Sequence, residues 1–121
     1  MAEYLPIYKP GQAITLKASA GITGGLVVAV SGDGTVAVAG AASTAVVGVA
    51  AFDAVANDNV TVYAGGVQNV KASGAITAGS PVIAGALGTV VASATPPAGQ
   101  QVGIALSTAA DAALVRVQFG R

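Results

Sequence analysis

Residues 17–25 read KASAGITGG, and residues 71–79 read KASGAITAG. The second copy begins 54 residues after the first, and the likeness runs on beyond these nine positions. Gly34, Thr35 and Val36 find Gly88, Thr89 and Val90 at the same offset. After one inserted residue, Val47, Gly48 and Ala50 match Val102, Gly103 and Ala105, and Val60, Val62 and Gly65 match Val115, Val117 and Gly120. Two similar halves of about 54 residues, near 12–66 and 67–121, therefore account for the chain beyond its first ten residues.

Within each half, apolar residues alternate with a period of two, the mark of strands with one buried face. Leu114–Phe119 is the clearest run, with Leu114 and Arg116 on one side and Val115, Val117 and Phe119 on the other. Val, Thr, Tyr and Ile suit such a pleated surface. Turn formers separate the runs: Ser31-Gly32-Asp33-Gly34, Asn57-Asp58-Asn59, Gly65-Gly66 and Pro96-Pro97-Ala98-Gly99. Asp-Gly and Gly-Gly supply the positive φ that tight hairpins need.

Each half then parses alike. A strand carrying the Lys lies near 12–18 and 67–72, and hairpin arms lie near 26–30 with 35–39 and 81–84 with 88–92. A strand opened by Val-Gly follows at 46–52 and 102–106, and a closing strand at 60–64 and 114–119. Strands at this spacing predict an all-β fold, a single small β-sandwich or barrel over 11–121 preceded by an arm over 1–10. Residues 107–113 have the composition for one helical turn.

The repeated stretch reads as a structural corner. Lys17 and Lys71 end a strand, Ile22 and Ile76 enter the core, and Gly25 and Gly79 let the chain reverse. Ser19, Thr23, Ser73 and Thr77 are expected to bond nearby backbone through their hydroxyls and hold the turn.

Composition narrows the function. Apolar residues make up 54% of the chain, but they are mostly small, with 28 Ala and 19 Val. Charged residues are only 8%, about a third of the usual share. Five basic residues balance five acidic ones, so no field gathers nucleic acid or an anionic membrane. A chain this poor in charge suits a protein that covers its surface with another subunit, and a compact Ala-rich monomer is the other reading. The uncharged runs 34–52 and 72–110 are long enough to span a bilayer. Gly, Ser and Thr break both, however, Pro81, Pro96 and Pro97 break the second, and no basic or aromatic flanks frame them. With no leader-like opening, the expectation is a protein neither membrane-bound nor exported.

Cys and His are both absent, which removes disulfides, thiolate metal sites and the usual nucleophile–base pairs. The carboxylates Glu3, Asp33, Asp53, Asp58 and Asp111 are scattered or in turns. Asp53 and Asp58, with Asn57 and Asn59, lack the spacing of a calcium loop. No Gly pair opens a helix followed by Lys-Ser or Lys-Thr, as a phosphate loop requires. No catalytic residue, cofactor or metal is expected. The first ten residues, MAEYLPIYKP, are the distinctive remainder. Tyr4, Leu5, Ile7 and Tyr8 lie outside the repeat, and Pro6 and Pro10 keep their neighbours extended. They form either a sticky arm that contacts a capsid or a neighbouring subunit, or an edge strand on their own domain.

The series from Pro10-Gly11 through Lys17-Ala18-Ser19, Ile22-Thr23-Gly24-Gly25-Leu26-Val27, Val47-Gly48-Val49-Ala50, Lys71-Ala72-Ser73-Gly74-Ala75-Ile76-Thr77-Ala78-Gly79-Ser80-Pro81-Val82 and Val102-Gly103-Ile104-Ala105-Leu106 to Val115-Arg116-Val117 resembles the small capsid decoration, or cement, proteins of tailed bacteriophages. The likeness covers about Pro10 to Phe119 and is a pattern of small residues. It implies a small β protein without enzymatic activity, made in the host cytoplasm. Such a protein binds the major capsid protein on the outer surface of the virion head, often as a homotrimer, and stabilises the shell. A carbohydrate-binding or adhesive β module of a phage tail or cell surface is the alternative, although it would want exposed aromatic platforms that a chain without Trp supplies poorly.

Overall fold

The computed structural model describes residues 4–9 and 11–120. Five strands make the first half: β1 (Ile14–Ala18), β2 (Val27–Gly32), β3 (Thr35–Val38), β4 (Val46–Ala50) and β5 (Asn59–Tyr63). They close into a barrel in the order β1-β3-β2-β4-β5. Five more make the second half: β6 (Gly66–Lys71), β7 (Pro81–Ala84), β8 (Val90–Ala92), β9 (Gln101–Ala105) and β10 (Leu114–Phe119), in the order β6-β10-β9-β7-β8. The fold is all-β, as the alternation predicts. Among the described residues the one helical turn, a 3-10 turn at Ala86–Gly88, sits in a hairpin tip rather than in 107–113. That segment bends instead, because Ala109 bridges to Ile76 and Ala112 takes φ 66°.

The repeat is reproduced in the strand register. Val28 pairs with Val38 and Val82 with Ala92, and Val30 pairs with Val36 as Ala84 does with Val90. Thr15 faces Thr61, and Asn69 faces Arg116. β1 meets β3 in parallel at Lys17↔Thr35 and Ala18↔Val36, whereas β6 meets β8 only at Ala72↔Val90. The second unit is therefore the same circle of strands, joined at its seam by a single bridge.

The repeated Val-Gly has a steric cause. A Cβ on Gly48 would collide with the carbonyl oxygen of Tyr63, and one on Gly103 with that of Gln118. Only glycine lets β4 and β9 approach their neighbours this closely.

Small residues fill the interiors because narrow barrels leave room for little else. Ala18, Ile22, Val28, Val36, Ala50, Ala54, Val60 and Val62 pack inside the first barrel. A larger cluster holds Val70, Ala72, Ile76, Val82, Val90, Val115 and Val117 of the second half together with Val27, Ala29, Ala39, Val46 and Val49 of the first. The outer face of the first barrel is thus buried against the second unit. Ala42 N donates to Ala84 O at 2.8 Å, and Gly88 N donates to Ala39 O at 3.0 Å across this junction. A Cβ on Gly88 would lie 2.8 Å from Leu26 Cβ, so glycine is needed there too. No buried polar or charged residue occurs among the described residues.

Candidate functional site

The arm stands apart from this packing. Residues 4–9 form no strand, and residues 1–3 and Pro10 lie outside the described residues. Tyr4, Leu5 and Ile7 are 88%, 76% and 90% exposed. Tyr8 is 40% exposed, and its hydroxyl accepts from Thr15 N at 3.1 Å and donates to Thr15 O at 3.5 Å. Gln12 fastens the end of the arm, its Oε1 accepting from Lys9 N at 2.7 Å and its own N–H donating to Lys9 O. The chain is therefore anchored at Tyr8, and three large apolar side chains project before it.

At the corners, Ile22 and Ile76 are buried and share two-way backbone bonds of 2.8–2.9 Å with Ala54 and Ala109. Gly25 and Gly79 hold φ of 86° and 89°, and each donates to a neighbouring strand, at Ala50 O and Ala105 O. Lys17, Ser19, Thr23, Lys71, Ser73 and Thr77 are exposed. The hydroxyls behave differently from the sequence expectation. Among these four, Ser19 alone reaches backbone, donating to Val36 O at 3.3 Å, and it also meets Ser31 Oγ at 2.7 Å. The turns are held instead by residues more than 25 positions away. Asp53 Oδ1 accepts from Gly24 N at 2.8 Å, Thr108 Oγ1 from Ala78 N at 3.1 Å, and Asp111 Oδ1 from Gly74 N at 2.7 Å. Asp and Thr in the facing turn are the signal that local reading of the corner passes over.

An open depression of about 380 Å³ is lined by Gly21, Ile22, Thr23, Asp53, Ala54, Val55 and Asp58. Its Asp53 carboxylate already caps Gly24, and the chain has no His to pair with Thr23. Among the described residues, no three Asp or Glu side chains gather as a metal site. A cleft of about 140 Å³ between the halves, lined by Val46, Val47, Gly65, Val102, Phe119 and Gly120, is apolar and smaller than most ligand sites. No helix among the described residues is long and apolar enough to cross a membrane. What the surface offers is contact. Besides the arm, Val55, Val67, Leu87 and Leu114 are each more than half exposed.

The fold is shared with a solved structure, the head fiber gp8.5 N base of bacteriophage phi29. The likeness has a TM-score of 0.67 at 23% identity and covers 90% of this chain and 93% of that one. No curated protein matches the chain significantly. A family model described as phage cement protein matches residues 8–119, from the Tyr8 anchor to the last residue of β10. With its two repeated β units spanned almost end to end by that match, the chain belongs to the phage cement protein family and has a structural, capsid-associated role.

Proposed function

We propose that this protein decorates the outer surface of a phage head, binding the major capsid protein without catalysis and stabilising the shell. The observation that carries the reading is the arm. Tyr4, Leu5 and Ile7 are 76–90% exposed on a chain whose Val and Ala interior is otherwise closed. Large apolar side chains held off the domain gain by docking on another chain, at about 1.5–3 kcal/mol each before the arm's ordering cost. A homotrimer would present several capsid contacts together, and multivalency would turn weak single contacts into firm retention.

Co-sedimentation with purified heads tests this. The full chain is expected to pellet with heads and raise their resistance to heat. Deleting residues 2–7 spares the Tyr8 anchor. It should leave unfolding unchanged within about 0.5 kcal/mol while retention falls. A full chain that stays in the supernatant with expanded heads would overturn the proposal.

A further inference from the structure

We propose that the outer edge of β6 receives the N-terminal arm of a second copy of this chain as an added strand. The inference rests on the reading of the arm as a docking element and specifies where it docks.

Backbone parity exposes the edge. Ala72 N donates to Ala113 O at 2.9 Å, so the alternate amides of Val70 and Gln68 also face β10. Those of Val67, Asn69 and Lys71 face the opposite way. Among the described residues they meet no strand, and pairing on that side resumes only where Ser73 N donates to Val90 O at 2.8 Å. In the first half the matching edge is closed. Lys17 N donates to Gly34 O at 3.3 Å, and Thr15 N donates to the Tyr8 hydroxyl at 3.1 Å. The arm therefore already satisfies Thr15, the position that Asn69 repeats 54 residues later. The second half supplies no such cover of its own. An unpaired edge of this kind is a template for another chain.

The arm is built to pair along one side only. The free arm bends at Ile7 and Tyr8; drawn out as a strand, it carries the Leu5 and Ile7 amides on one edge, while Pro6 has none to offer the other. With Leu5 and Ile7 facing β6, Pro6 points outward and blocks a further strand, so each edge takes one arm and the addition does not propagate. Residues hydrogen-bonded across a ladder share a face. Leu5 and Ile7 would then lie beside Val67, which is 51% exposed. The donor is a second copy because Tyr8 ties the arm to β1 of its own first half, where Tyr4, Leu5 and Ile7 stay largely in solvent.

The natural chain has no Cys, which makes a clean experiment possible. Purified Ile7→Cys and Asn69→Cys proteins are mixed and treated with a short bismaleimide, with Ala110→Cys replacing Asn69→Cys as the exposed control. Docking raises the local thiol concentration toward the mM range, so at least about tenfold more cross-linked heterodimer than in the control is expected. Equal cross-linking would overturn the proposal. So would a doubly substituted chain that closes only on itself. Asn69→Pro removes an outward amide without touching the β10 ladder, and it should abolish the cross-link while the β circular dichroism spectrum persists. A persistent cross-link in that folded variant would overturn pairing along this edge. If arm deletion weakens head binding and the cross-link never forms, the arm's seat is the capsid, which overturns this inference and leaves the proposed function standing. Cross-linking without head binding would overturn the proposed function alone.

Discussion

On the outer face of the first half, Val27, Ala29, Ala39, Val46 and Val49 are buried, joined to the core of the second half. At the matching positions of the second half stand Pro81, Ile83, Ser93, Gln101 and Ile104, all only partly buried. The backbone bonds beneath the two faces are the same: Ala39 N donates to Val27 O, and Ser93 N to Pro81 O, both at 2.9 Å. The hairpin tips diverge in the opposite sense. Residues 31–34 are exposed in the first half, whereas Gly85 and Gly88 of the second are buried. Side chains have followed what each face meets while the strand circle stayed constant. Where a face is covered, small apolar residues remain; where it is not, Gln and Ser appear.

This comparison can be broken in several places. The largest effect is expected where the halves are most alike. Gly48→Ala and Gly103→Ala each drive a Cβ into a backbone carbonyl that has no room to yield. Each should cost about 4 kcal/mol or more in urea unfolding. A tolerated substitution in one half would show that its strand spacing is not the twin of the other's. Next come the corners. Ile22→Ala and Ile76→Ala should each lose roughly 2–5 kcal/mol, since both side chains are buried under a two-way backbone bridge. A negligible loss at both would make the repeated corner a surface feature.

The faces themselves give an asymmetric test. Val49→Gln places an amide in the junction without a partner and should cost about 2–3 kcal/mol. Ile104→Gln on the partly open counterpart should cost less than about 1 kcal/mol. Equal losses would mean that the second face is covered as well, by another subunit. The smallest effect concerns the backbone. Asn57 and Ala112 both hold left-handed conformations, φ 74° and 66°, and donate to Ala18 O and Ala72 O respectively. Asn tolerates that region and Ala does so less readily. Ala112→Asn should therefore raise stability by roughly 0.5–1 kcal/mol in thermal unfolding.

Much of the strand pattern was legible because β structure writes itself locally. The alternation in Leu114–Phe119 becomes outward and buried positions in strict turn, and the Asp-Gly of residues 33–34 marks a hairpin. Residues 107–113 were misleading for the same reason, since Ala favours helix only when no neighbouring corner claims its backbone. At the corners, the hydroxyls of Thr23, Ser73 and Thr77 were plausible turn holders by proximity alone. Asp53, Thr108 and Asp111 took the role from 29 to 37 residues away.

Residue order alone declared the duplication, the all-β class and the absence of Cys and His. Each of these is a statement about spacing or residue type, which folding does not alter. Tertiary structure decided which copy's outer face is buried, which strand edge is left open and where Tyr8 anchors the arm. Those outcomes depend on how two nearly equivalent units meet. Sequence repeats leave that choice degenerate, since Gly34 and Gly88 hold the same place in the two copies, yet only Gly88 meets the other half, where a Cβ would lie 2.8 Å from Leu26 and 3.0 Å from Val38.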